Sequence, residues 1–299
     1  MSKSKKIPFR GAATALITPF KEGEVDYSTL GSLIDRQIER GIDALVICGT
    51  TGESATLSDR EHFEVLEYAI ARAGGRVPMI AGTGSNDTSH AVESSRRAAA
   101  LGYDALLVVT PYYNKATEKG LIRSFTQIAD ASDAPIILYN VPTRTCCNIT
   151  LPVYRTLAEH ENIVAVKEAS GNIGAIAQLL CECGDRLAVY SGNDAETLPI
   201  LSLGGAGVIS VVSNLIPSET VALCRKWFDG DNLGCRRLHE KYLPLMNAMF
   251  REVNPIPVKT ASALMNLCAP DLRLPLCSPE EQTLTYIKTL LTQYGLIGG

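Results

Sequence analysis

Short apolar runs, often β-branched, alternate along this chain with longer stretches whose apolar residues recur at helical spacing. Ala12–Thr18 predicts the first strand, closed by Pro19. Behind Asp26 as N-cap, Leu30, Leu33, Ile34 and Ile38 mark one face of a helix that Gly41 stops. Ala44–Cys48 predicts the second strand. Ser58-Asp-Arg-Glu61 then has the form of a capping box and opens a helix reaching Ala73. Strands follow at Pro78–Ala81, Ala105–Val109, Ile136–Tyr139, Ile163–Lys167, Leu187–Tyr190 and Val208–Val212, and Pro217 starts the eighth helix.

Eight such units with apolar strands and short connections predict an α/β fold, a closed parallel (β/α)8 TIM barrel. The barrel is expected to occupy residues 1–230 as the catalytic domain. Residues 231–299 form a C-terminal helical region, with helices expected at Leu233–Glu252, Pro257–Asn266 and Pro279–Tyr294.

Composition narrows the function classes. A chain of 299 residues is long enough for one large domain or two, and α/β barrels reach this size as a single domain. A net charge of −4 leaves no basic footprint, which argues against nucleic acid or an anionic membrane as partner. The basic start, Lys3 to Arg10, lacks the apolar core of a secretory signal, and no apolar run is long enough to span a bilayer. Nine cysteines lie scattered, and Cys146-Cys147 and Cys181-Glu-Cys183 lack C-x-x-C spacing. With four isolated histidines, these read as reduced thiols in a cytoplasmic protein, with no metal site. Gly82-Thr-Gly84 and Gly49-Thr-Thr-Gly-Glu53 fall short of dinucleotide and phosphate-loop patterns, so no cofactor is expected.

The chemistry centres on Ile163-Val-Ala-Val-Lys-Glu-Ala-Ser170. Alternation puts Ile163, Ala165 and Lys167 on one face and Val164, Val166 and Glu168 on the other. A lysine in such a strand either pairs with a carboxylate at the strand mouth or acts as a desolvated amine, a nucleophile toward carbonyls. Active sites of this fold form at the C-terminal strand ends. Thr50, Thr51, Tyr112, Tyr113, Tyr139 and Arg144 all stand at such ends, which favours the nucleophile. Each has a plainer reading: Tyr139 as a core aromatic, the threonines as turn residues, Arg144 as a solvated charge.

The chain resembles the dihydrodipicolinate synthase/N-acetylneuraminate lyase family over essentially its whole length. The markers are Gly49-Thr-Thr-Gly-Glu-Ser54, Thr110-Pro-Tyr-Tyr-Asn114, Leu138-Tyr-Asn-Val-Pro-Thr-Arg144, Val166-Lys-Glu-Ala169, Gly207-Val-Ile-Ser210 and Asn254-Pro-Ile-Pro-Val-Lys259. The resemblance implies a class I lyase in which Lys167 forms a Schiff base with pyruvate and Tyr139 is the acid/base beside it. It implies that Thr50 and Tyr113 complete a hydroxyl relay, Tyr113 being supplied across a subunit interface of a homo-oligomer, usually a tetramer built as a dimer of dimers. Thr51 is implied to hold the pyruvate carboxylate, with Gly192 and Ile209 lining that site. Arg144 matches the branch that binds L-aspartate-4-semialdehyde as second substrate, at the start of diaminopimelate and lysine synthesis. A sister aldolase using a sugar-acid aldehyde would not need Arg144, and a non-catalytic member would be expected to lose Lys167, Tyr139 or Thr50.

Two departures stand out. Cys146 follows Arg144-Thr145 where the family commonly has glycine. Ser54, Ala55, His62, Asn86 and Tyr112 match positions of the family's allosteric lysine pocket, but Asp59 differs, and His90 replaces the glutamate that would hold the lysine ammonium. The resemblance therefore implies a degenerate allosteric site with weak or absent inhibition by lysine.

Overall fold

The computed structural model describes residues 5–298. Ten strands appear in chain order. They are β1 (Gly11–Ala15), a hairpin of β2 (Phe20–Lys21) and β3 (Glu24–Val25), β4 (Ala44–Ile47), β5 (Met79–Gly82), β6 (Ala105–Val109), β7 (Ile136–Asn140), β8 (Ile163–Glu168), β9 (Ala188–Ser191) and β10 (Gly207–Ser210). Eight of them close into a parallel barrel in the order β1-β10-β9-β8-β7-β6-β5-β4, as the alternation predicts. Nearly every barrel-strand residue is buried, which is why these strands read as continuous apolar runs.

The chain divides into two compact units. The first comprises residues 1–11 and 78–209. Its strands pair in register Leu106↔Ile136 through Val109↔Tyr139 and Ala165↔Ala188 through Glu168↔Ser191. Between β7 and β8 the register slips: Ile136 pairs Ile163, but Ile137 pairs Ala165. Val164 is the extra residue of a bulge, so the face shared by Ala165 and Lys167 does not continue to Ile163 as strict alternation predicts. Gly207 has no side chain for a steric reason, because a Cβ there would lie 1.8 Å from the Gly11 carbonyl oxygen. The basic N-terminal start has a structural use. Lys5 Nζ donates to the carbonyls of Ala158, His160 and Ile163 at 2.6, 2.7 and 2.7 Å, capping the helix Leu151–Ala158. Lys3 lies outside the described residues.

The second unit comprises residues 12–77 and 210–299. β1 and β4 pair from Ala13↔Ala44 to Ala15↔Val46. Asn214 fastens β1 by donating to Ala15 O at 2.9 Å and accepting from Ile17 N at 3.2 Å. The predicted capping box is present, with Ser58 N donating to Glu61 Oε2 at 2.9 Å and Glu61 N to Ser58 Oγ at 3.3 Å. Three helices, Asn232–Ala248, Ile256–Leu264 and Glu281–Gln293, make up the C-terminal region. The β2–β3 hairpin has no counterpart in the sequence reading, because two-residue strands carry no period. Its turn is visible only as Glu22 and Gly23 at φ 54 and 85. No described helix is long and apolar enough to cross a membrane.

Candidate active site

Tyr139 and Lys167 are cross-strand partners on β7 and β8. In a parallel ladder, paired residues share a face, so the register itself brings phenol and amine together. Lys167 Nζ lies 4.4 Å from the centroid of the Tyr139 ring, and the two residues are 5% and 7% exposed. Ala165, two residues before the lysine and fully buried, keeps a methyl group where a larger side chain would crowd that face.

The next ladder pair, Asn140 and Glu168, points the other way. Glu168 is buried and held by hydrogen-bond donors. Asn140 Nδ2 reaches both carboxylate oxygens at 3.1 Å, Tyr154 Oη donates at 2.8 Å and Ser170 N at 2.9 Å. Asn140 Nδ2 also donates to Asn148 Oδ1 at 2.9 Å, and its Oδ1 accepts from Ile149 N at 3.1 Å. Burial and then the Glu168 carboxylate push the Tyr154 phenol well above its ordinary range, so it stays a donor. A cavity of about 430 Å³ adjoins this network, lined by Asn148, Tyr154, Glu168 and Asn172 among others. Asn140 and Glu168 each follow directly on Tyr139 and Lys167 in the sequence, where neither carries a signal of its partner.

β7 runs into a one-turn helix, Pro142–Thr145, that carries the exposed Arg144. Cys146 ends it at φ 53, ψ 24 and donates its N–H to Pro142 O at 2.9 Å. The cysteine thus adopts the left-handed shape that favours glycine, and the turn is kept. Thr110, at the end of β6, latches this loop. Its hydroxyl donates to Thr145 Oγ1 at 3.0 Å, and Thr145 Oγ1 donates to Cys147 O at 3.0 Å. The same strand end leads to Tyr112 and Tyr113. Tyr113 stands at φ 71 and is 92% exposed. Asn114 secures the loop by donating to the carbonyl of Asn86 at 2.9 Å. His90 is exposed in the first turn of the helix Thr88–Ala100.

At the end of β9, Gly192 N donates to Glu168 O at 2.7 Å. A Cβ on Gly192 would meet Ala169 Cβ at 2.6 Å, so only glycine permits this approach. Ile209 on β10 is fully buried.

Thr50 and Thr51 belong to the second unit. After β4, Thr50–Gly52 form a single 3-10 turn. Thr50 is half-buried, while Thr51 is 2% exposed and accepts from Asn254 Nδ2 at 2.9 Å. Ser54 and Ala55 continue into a second such turn, and His62 lies on the helix Asp59–Ala73 with its ring edge-on to Phe63. Among the described residues there is no group of three or more His, Cys, Asp or Glu side chains that could hold a metal. The first unit offers an amine and phenols at strand ends with a guanidinium on the adjoining loop, and the second unit offers the hydroxyls of Thr50 and Thr51.

Residues 8–294 match the dihydrodipicolinate synthetase family. The chain is 49% identical over 289 residues to 4-hydroxy-tetrahydrodipicolinate synthase of Pelobacter propionicus, covering 97% of this chain and 100% of that one. It superposes with a TM-score of 0.95 on the crystal structure of dihydrodipicolinate synthase from Aquifex aeolicus, at 44% identity, covering 97% of this chain and all of the other. A chloride-inhibited dihydrodipicolinate synthase from Acinetobacter baumannii, crystallised in complex with pyruvate, superposes at 0.94 with 40% identity over 96% of this chain and 99% of its own.

Proposed function

Because the chain belongs to the dihydrodipicolinate synthetase family, we propose that it condenses pyruvate with L-aspartate-4-semialdehyde to 4-hydroxy-tetrahydrodipicolinate through a Schiff base on Lys167. The observation that carries the assignment is the Tyr139–Lys167 ladder pair, an amine 4.4 Å from a phenol ring centroid at a buried strand end.

In this scheme Lys167 Nζ adds to the C2 carbonyl of pyruvate, and loss of water leaves an iminium. The iminium draws electrons from the adjacent methyl carbon, which releases a proton and becomes an enamine nucleophile. Tyr139 moves protons at the amine and at C3, being the hydroxyl-bearing side chain paired with the lysine. The enamine carbon bonds to the aldehyde carbon of the semialdehyde. The amino group of that substrate then attacks C2, frees Lys167 and closes the ring. Burial of the pair excludes the water that would hydrolyse the imine.

The remaining roles follow motif positions. Thr50 and Tyr113 extend the proton relay from Tyr139. Thr51 holds the pyruvate carboxylate, Gly192 and Ile209 line the pyruvate site, and Arg144 grips the carboxylate of the semialdehyde with its planar fork. Tyr113 supports a homo-oligomer, a tetramer built as a dimer of dimers. A large aromatic held 92% exposed on a left-handed backbone is suited to reach a second copy. Residues 1–230 carry the chemistry and 231–299 support it, in a protein of the cytoplasm.

The test is borohydride reduction in the presence of pyruvate, followed by peptide mapping. One adduct, on Lys167, is expected, and addition of the semialdehyde to unreduced enzyme should yield the cyclic product. An adduct on another lysine, or none, refutes the assignment.

A further inference from the structure

The turn that carries Thr50 and Thr51 contains a backbone shape its own residues disfavour. Glu53 sits at φ 54, ψ 33, in the left-handed region where a Cβ crowds the following carbonyl. Its side chain shows what holds it there. Lys259, 206 residues further along, places Nζ 2.5 Å from Glu53 Oε1, and both side chains are fully buried. Glu53 Oε2 accepts from the backbone N–H of Arg273 at 3.2 Å. The same ammonium lies 4.0 Å from the centroid of the Phe20 ring. Just before Glu53 the turn is tied twice more: Asn254 donates to Thr51 Oγ1 at 2.9 Å, and Thr18 Oγ1 donates to Gly52 O at 2.7 Å. The final motif of the sequence, Asn254-Pro-Ile-Pro-Val-Lys259, therefore grips the first, Gly49-Thr-Thr-Gly-Glu-Ser54, at two points.

Stability alone is a poor reason for such a pair. Taking two charges out of water offsets most of their attraction, and an apolar pair of similar volume commonly serves as well. What a fully buried ion pair supplies and an apolar pair does not is a single allowed geometry.

We infer that Lys259 is a positioning residue for the keto-acid site: by locking Glu53 in its left-handed conformation it sets the Thr51 hydroxyl, without itself touching substrate. The inference rests on the reading above in which Thr51 holds the pyruvate carboxylate. The C-terminal region, which carries no reactive group in that reading, acquires a function as the strut of the pyruvate-binding turn.

The double variant Glu53→Gln/Lys259→Met tests this, because it removes both charges and strands neither. The expected result is a folded protein whose KM for pyruvate rises about tenfold or more while kcat stays within about threefold, the signature of lost ground-state binding. Borohydride trapping on Lys167 should be slow at low pyruvate and reach the wild-type yield at saturation. Glu53→Asp, which keeps both charges but shortens the reach by one methylene, should shift KM in the same direction by less. A lower Tm with an unchanged KM for pyruvate in these variants makes the pair merely structural and overturns the inference. Wild-type enzyme run alongside separates the two claims. A wild-type adduct with unshifted variants rejects only the positioning role, whereas a wild-type protein with no adduct on Lys167 rejects the reaction and the positioning role together.

Discussion

Asn140 and Glu168 face each other one ladder step beyond Tyr139 and Lys167, with the asparagine amide donating to both carboxylate oxygens at 3.1 Å. The pair on one face of the sheet is the one assigned to the reaction, and the pair on the opposite face is a hydrogen-bonded clasp. Because the two pairs are adjacent on the same two strands, the clasp is expected to limit how far β7 and β8 slide past each other, and with it to hold the amine-to-phenol distance.

The clasp gives a measurable consequence. Tyr154→Phe removes one charge-assisted donor to Glu168 and should lower stability by about 2 kcal/mol. Urea unfolding reads that loss directly. Glu168→Leu should be worse, because it leaves Asn140, Tyr154 and Ser170 donors without their acceptor, and it should also slow borohydride trapping at saturating pyruvate. Unimpaired trapping in a folded Glu168→Leu protein would show that the clasp does not govern the reactive pair.

The loop of Arg144 is predicted to tolerate glycine at its end better than any branched residue. Cys146 stands at φ 53. Cys146→Val should cost about 1–2 kcal/mol, whereas Cys146→Gly should be neutral or slightly stabilising. The two Tm shifts, taken together, check the backbone argument without reference to activity.

Arg144→Ala should separate the two substrates. Trapping with pyruvate should be unchanged, while kcat/KM for aspartate semialdehyde falls by roughly 30- to 100-fold, the worth of a lost bidentate contact of about 2–3 kcal/mol. A loss of trapping would move Arg144 to the pyruvate step.

Acid stability should depend on Glu61. The Arg273 guanidinium donates to it at 2.6 and 3.1 Å and holds its carboxyl down at about 2. A carboxyl whose folded value is depressed contributes stability above its unfolded value, and that stability is lost as pH falls toward the folded value. The contribution, about 1–2 kcal/mol after allowance for solvent screening, should therefore be intact at pH 6 and fade between roughly pH 5 and 2. Arg273→Met should flatten that part of the stability–pH curve, and chemical denaturation at several pH values would show whether it does.

Inhibition by lysine is expected to be weak or absent, because His90 and Asp59 stand where the lysine-inhibited pattern has other residues. Initial rates in submillimolar lysine are the check, and complete inhibition would contradict the expectation.

The strand–helix alternation, the barrel and the position of Lys167 at a strand end were legible in the chain because they depend on local burial, and burial leaves a periodic trace. Tyr139 and Arg144 were legible for a related reason, since Tyr139 lies near the end of one strand and Arg144 follows that strand closely enough to be placed by counting. The bulge at Val164 was not, because it concerns how two strands slide past one another and neither strand records it alone. The same holds for the contacts that support the site. Asn140 grips Glu168 across 28 residues, and Lys259 grips Glu53 across 206. Buried polar groups find partners by proximity in space, and sequence separation carries no information about which donor meets which acceptor. The strand-end placement of Lys167, Tyr139 and Arg144 was written in the sequence, and the contacts around them were decided only by the fold.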